Sequence, residues 1–78
     1  MALSNLDIRE IFSENLRYYR KQANLTQAKL AVMVNLTDKY ISDIERQLYD
    51  PSLNTIDSIA KALNIETYLL LKYEKRNE

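Results

Sequence analysis

Residues 26–46 read TQAKLAVMVNLTDKYISDIER, and this stretch decides the fold. Thr26 and Thr37 are of a type whose side-chain oxygen accepts from the backbone at a helix start. Each precedes a short run with helical spacing. Leu30, Ala31 and Val34 share one face of the first run, and Ile41 and Ile44 share one face of the second. Asn35 falls between the runs, with Leu36 placed to cover the turn. Two short helices joined by a break of three or four residues form a helix-turn-helix. On the second helix, Asp38, Lys39, Ser42, Asp43 and Arg46 fall opposite the isoleucines and are expected to face outward.

The same spacing rule extends in both directions. Upstream, Ser4-x-x-Asp7 can cap a helix that carries Ile8, Ile11, Phe12, Leu16 and Tyr19 and ends near Ala23. Downstream, Pro51-Ser52 precedes a fourth helix with Leu53, Ile56, Ile59, Ala60 and Leu63 on its apolar face. A short fifth helix is expected over about residues 66–73. The chain has no glycine, so its breaks must be made otherwise. Asn24, Asn35 and Asn64 each stand just past a periodic run, and Asn is the best residue after glycine for the left-handed conformation that ends a helix. The β-branched residues sit at helical, not alternating, spacing. The expected fold is all-α: five helices in a single domain, residues 1–78, with the motif at 26–46.

Composition narrows the function. A 78-residue chain has a thin core, burying only about 60% of the surface exposed when unfolded. Cysteine and histidine are both absent, which removes disulfides, thiolate and imidazole metal ligands and the commonest general base. The carboxylates do not repeat a calcium-loop pattern. No enzyme activity, metal, cofactor or small-molecule ligand is therefore expected. No apolar run approaches the roughly 18 residues of a membrane span. Met1–Asp7 lacks the basic start and apolar stretch of a secretory signal, so the expected location is cytoplasmic.

Five fragments then follow one another in order: Leu16-Arg17-x-x-Arg20, Leu25-Thr26-Gln27-x-x-Leu30-Ala31, Tyr40-Ile41-Ser42-x-Ile44-Glu45-Arg46, Pro51-Ser52-Leu53 and Ile59-Ala60-x-Ala62-Leu63. Over roughly residues 11–71 the chain resembles the Cro and lambdoid-repressor family, the xenobiotic-response-element (XRE) type of helix-turn-helix regulator. The resemblance implies a compact lambda-repressor-like domain that binds operator DNA as a two-fold dimer. It implies that Gln27, at the start of the second helix, clamps a backbone phosphate, in keeping with the affinity of helix N-termini for anions. Arg17 counts among the basic phosphate contacts. The resemblance also puts Thr37, Asp38, Lys39, Ser42, Asp43 and Arg46 at the DNA-facing positions of the recognition helix. Tyr40 has two uses open to it, a phosphate contact or packing against the second helix. Arg20 and Glu45 match a family pair that ties the first helix to the recognition helix by a salt bridge.

The departures carry information too. The family has glycine where this chain has Asn24, Asn35, Gln47 and Asn64. Gln47 is not an obvious substitute, so the loop after the third helix is expected to differ in shape. Asp38 and Asp43 repel phosphate but can accept from cytosine N4 in the major groove. For Asp38 a plain capping role is equally open.

Net charge is zero, so its distribution matters more than its sum. From Arg17 to Lys39 five basic residues face one acid, while acids gather upstream and downstream. A monomer then offers few phosphate contacts, and a homodimer on an inverted-repeat operator would double them. Tyr68, Leu69, Leu70, Leu71 and Tyr73 are too many apolar residues for one face of a short helix, which makes them a candidate dimer surface. Two readings follow. One is a dimeric transcriptional regulator, either a phage-type repressor or an operon controller. The other is a protein-interaction adaptor on the same fold, with the acids of the third helix suppressing DNA binding.

Overall fold

The computed structural model describes residues 7–76. Its first helix, α1 (Ile8–Gln22), begins at Asp7, whose carboxylate accepts from the Arg9 amide at 2.8 Å. This corrects the helix start expected near Ser4. Ser4 lies outside the described residues, and Asp7 itself still has extended backbone. α2 (Gln27–Met33), α3 (Asp38–Glu45) and α4 (Leu53–Leu63) begin after Thr26, Thr37 and Ser52. In each the cap hydroxyl accepts a backbone N–H three residues on, at 3.0 Å.

The helix ends share one geometry. At Asn24, Asn35, Gln47 and Asn64 the backbone is left-handed, with φ between 59° and 65°. The N–H of each reaches back three residues, and the N–H of the next residue reaches back five. These paired bonds satisfy carbonyls that a helix end leaves open. Gln47 adopts the geometry as fully as the asparagines, at φ 65°, so the expectation of a different loop shape is corrected. The residue after each left-handed position is apolar. Leu25, Leu36 and Ile65 pack on the core, whereas Leu48 stands exposed.

The core joins α1 (Phe12, Leu16), α2 (Leu30, Ala31), α3 (Ile41, Ile44) and α4 (Ile56, Ile59, Ala60, Leu63). Leu70, fully buried, closes it. The described residues hold four α-helices followed by a single 3₁₀ turn, Thr67–Leu70, rather than the five helices expected. The amide of Asn15, buried within α1, donates to the carbonyls of Leu70 at 3.0 Å and Lys72 at 2.8 Å. These bonds fasten residues 70–72 to α1, and the chain lies back along that helix instead of continuing as a helix of its own. Arg76 completes the arrangement. It donates to Asn15 Oδ1 at 2.8 Å and stacks over the Tyr18 ring at 3.9 Å.

Candidate nucleic-acid interface

α3 is held at its C-terminal end by a buried carboxylate. Glu45 Oε2 accepts from Arg20 Nε at 2.6 Å, and its Oε1 accepts from Arg20 Nη2 at 3.1 Å and from Gln27 Nε2 at 3.0 Å. Arg20 spends a further donor on the Leu25 carbonyl, at 2.8 Å. Arg17 donates to the backbone carbonyl of Glu45 at 2.7 Å, satisfying one open end of α3. The pair Arg20–Glu45, read from the sequence as a tie between helices, joins α1 to α3 here and brings in α2 through Gln27. No buried side-chain polar atom among the described residues lacks a partner. In a low-dielectric setting that completeness is what makes such a cluster rigid.

Gln27 is half-buried, and its amide nitrogen points at Glu45. A second amide hydrogen and the amide oxygen remain available. Arg17 is partly exposed beside it. Thr37 and Asp38 are exposed at the start of α3, with the Thr37 hydroxyl committed to the Tyr40 amide. Ser42 is half-buried. Tyr40 is half-buried as well and stacks on Tyr49, with ring centroids 6.4 Å apart and planes 14° from parallel.

Asp43 departs from the outward orientation expected of it. Its side chain is only 4% exposed, with Oδ2 at 2.9 Å from Lys39 Nζ and Oδ1 at 3.0 Å from Arg46 Nη2. Lys39 and Arg46 themselves stand largely in solvent, at 79% and 63% exposure. The hydrogen bonds from Lys39 and then Arg46 hold the Asp43 carboxyl below its ordinary range, outweighing desolvation. The same bond pushes the Lys39 ammonium up.

The candidate dimer residues differ in exposure, and Leu70 is removed from the set by its burial. Leu70 is in the core, Leu69 and Leu71 are half-buried, and Tyr68 and Tyr73 are exposed. Tyr49 and the Asn15–Arg76 clamp escaped the sequence reading. For Asn15 a signal existed, because positions 12, 15, 16 and 19 share one helical face and Asn15 is the polar member of it. Tyr49 lies in the loop after α3, where no periodicity marks it.

A helix-turn-helix family model matches residues 16–70. The control protein C.SmaI of Serratia marcescens is 42% identical over 66 residues, covering 85% of this chain and 79% of that protein. The immunity repressor protein of Bacillus phage phi105 is 39% identical over 61 residues, or 78% of this chain. The match spans only 42% of that repressor's length. The P22 c2 repressor, solved in complex with a synthetic operator, superposes with a TM-score of 0.74 at 32% identity, covering 81% of this chain and 96% of that one. With its capped α2 and α3, its left-handed turn at Asn35 and these matches, the chain belongs to the XRE-type helix-turn-helix family.

Proposed function

We propose that the chain is a sequence-specific, double-stranded-DNA-binding transcriptional regulator that acts as a homodimer on an inverted-repeat operator. The observation that carries this reading is the anchored α3. Its inner end is locked through Glu45 to Arg20 and Gln27, while Lys39 and Arg46 extend from its outer face. Such a helix offers base-reading donors from a rigid element, as major-groove recognition requires. Arg17, Gln27 and Tyr40 are the phosphate contacts in this reading. Thr37, Asp38, Lys39, Ser42 and Arg46 face the bases, and Tyr68, Leu69, Leu71 and Tyr73 contribute to dimerisation. The related phage immunity repressor and control protein support repression or operon control as the biological setting, with the cytoplasm as the location.

The adaptor reading draws on the zero net charge and the acids of α3. It loses force because two of those three acids, Asp43 and Glu45, are buried against cations. The deciding experiment is binding to the DNA upstream of the gene across a salt series. With roughly six phosphate contacts per dimer, log affinity should fall against log salt with a slope near −5. A flat salt response without a footprint would sink the DNA-binding reading.

A further inference from the structure

We propose that Asp43 is a positioning residue: its buried carboxylate aims Lys39 and Arg46 at the bases and makes no base contact of its own. This rests on the DNA-binding reading and assigns a role inside it. Positions 39, 43 and 46 are spaced by four and three, so the three side chains lie on one strip of α3. Each Asp43 oxygen already accepts one charge-assisted bond, at 2.9 Å from Lys39 and 3.0 Å from Arg46, and the side chain is 4% exposed. A cytosine amino group would therefore find a carboxylate that is covered and already engaged. Each cation, by contrast, keeps free donors. Lys39 has two remaining N–H groups, and Arg46 contacts Asp43 through Nη2, leaving Nε and Nη1 outside that bond. Long basic side chains lose rotamer freedom when they dock, and part of that loss is met here before DNA arrives. The carboxylate also lowers the net charge of this strip from two to one. Attraction to any phosphate backbone is thereby weakened relative to bonds that read a particular base.

Two probes test the role by fluorescence anisotropy: the duplex that the unmodified chain enriches from a randomised pool, and a scrambled duplex of equal length. Asp43→Asn should bind the scrambled duplex as well as the unmodified chain or better. Its preference for the enriched duplex should fall by roughly tenfold, the effect of one good base contact. In a chain already carrying Lys39→Ala and Arg46→Ala, the same substitution should change the preference less than about twofold, because nothing is left to position. A tenfold loss that persists in that background gives the carboxylate its own base contact and overturns the proposal. An unchanged preference in Asp43→Asn alone also overturns it. If Asp43→Asn loses its helical circular dichroism, the pair Lys39→Ala and Arg46→Ala decides instead. Shared anchoring makes their losses non-additive, and additive losses overturn the role. An unmodified chain that enriches no duplex removes the DNA-binding reading and this role together, an outcome distinct from failure at Asp43 alone.

Discussion

Arg20 and Glu45, twenty-five residues apart, meet in a two-pronged buried ion pair of 2.6 and 3.1 Å that fastens the recognition helix to α1. Arg20 is 11% exposed at its side chain and Glu45 only 3%, so neither charge has water to fall back on. Breaking such a pair from one side costs about 3–5 kcal/mol, because the remaining charge stays buried. Glu45→Gln should therefore lower the thermal midpoint by more than about 10 °C. Calorimetry at neutral pH measures this, and a midpoint within a few degrees of the parent would contradict the assignment.

Gln47 occupies a left-handed conformation, φ 65°, with an exposed side chain. A non-glycine residue there carries a steric cost of about 1–2 kcal/mol, which glycine avoids at some expense in unfolded-state entropy. Gln47→Gly should stabilise the fold by about 1 kcal/mol, raising the midpoint by roughly 4–8 °C. Gln47→Val should do the reverse, since a β-branched side chain tolerates positive φ poorly.

Leu70 and Tyr68 lie two residues apart in the 3₁₀ turn and face opposite surroundings, one buried and the other 62% exposed. Leu70→Ala leaves a hole in the core and should cost about 2–5 kcal/mol. Tyr68→Ala should leave stability within about 0.5 kcal/mol at concentrations where the chain is monomeric. If Tyr68 belongs to the dimer surface, the same substitution weakens self-association. Sedimentation across a concentration series reads that directly, and an unchanged dissociation constant would remove Tyr68 from the interface.

The pH dependence follows from three lowered carboxylates and two raised ammonium groups. Asp7 is lowered chiefly by the Arg9 backbone amide, Asp43 by the Lys39 side chain and Asp57 by the Lys61 side chain. As pH falls through the ordinary value of 3.8, the unfolded chain protonates before the folded one. Their contribution is thus complete above that value and disappears toward the lower folded ones. Lys39 and Lys61 are raised above 10.5 by bonds to Asp43 and Asp57. Their contribution is complete below that value and is lost as pH rises through the folded ones. With no histidine or cysteine in the chain, the urea midpoint should be level from about pH 5 to 9. Asp57→Asn should soften both shoulders, and a step near pH 6.5 would contradict the account (about the pH at which histidine would titrate).

Helix boundaries were legible because their causes are local. Thr26, Thr37 and Ser52 cap the amide three residues on, and Asn24, Asn35 and Asn64 turn the chain through their own backbone preference. The apolar spacing likewise named most of the core residues of the four α-helices, although Ile8 and Leu53, at the helix starts, stand 55% and 79% exposed. The last helix failed for the opposite reason. It ends where Asn15, fifty-five residues away from Leu70, fastens the chain to α1. Asp43 lies between the two cases. Its spacing to Lys39 and Arg46 was open to reading as a pair of ion bridges, but whether a carboxylate keeps its water depends on what covers it. Local hydrogen bonds and side-chain period are written in consecutive residues, whereas desolvation and long-range anchoring exist only once distant segments pack. The amino-acid order therefore settled that a helix-turn-helix forms at 26–46. The packed structure decided which side chains on its second helix stand free to meet a ligand, and which hold those others in place.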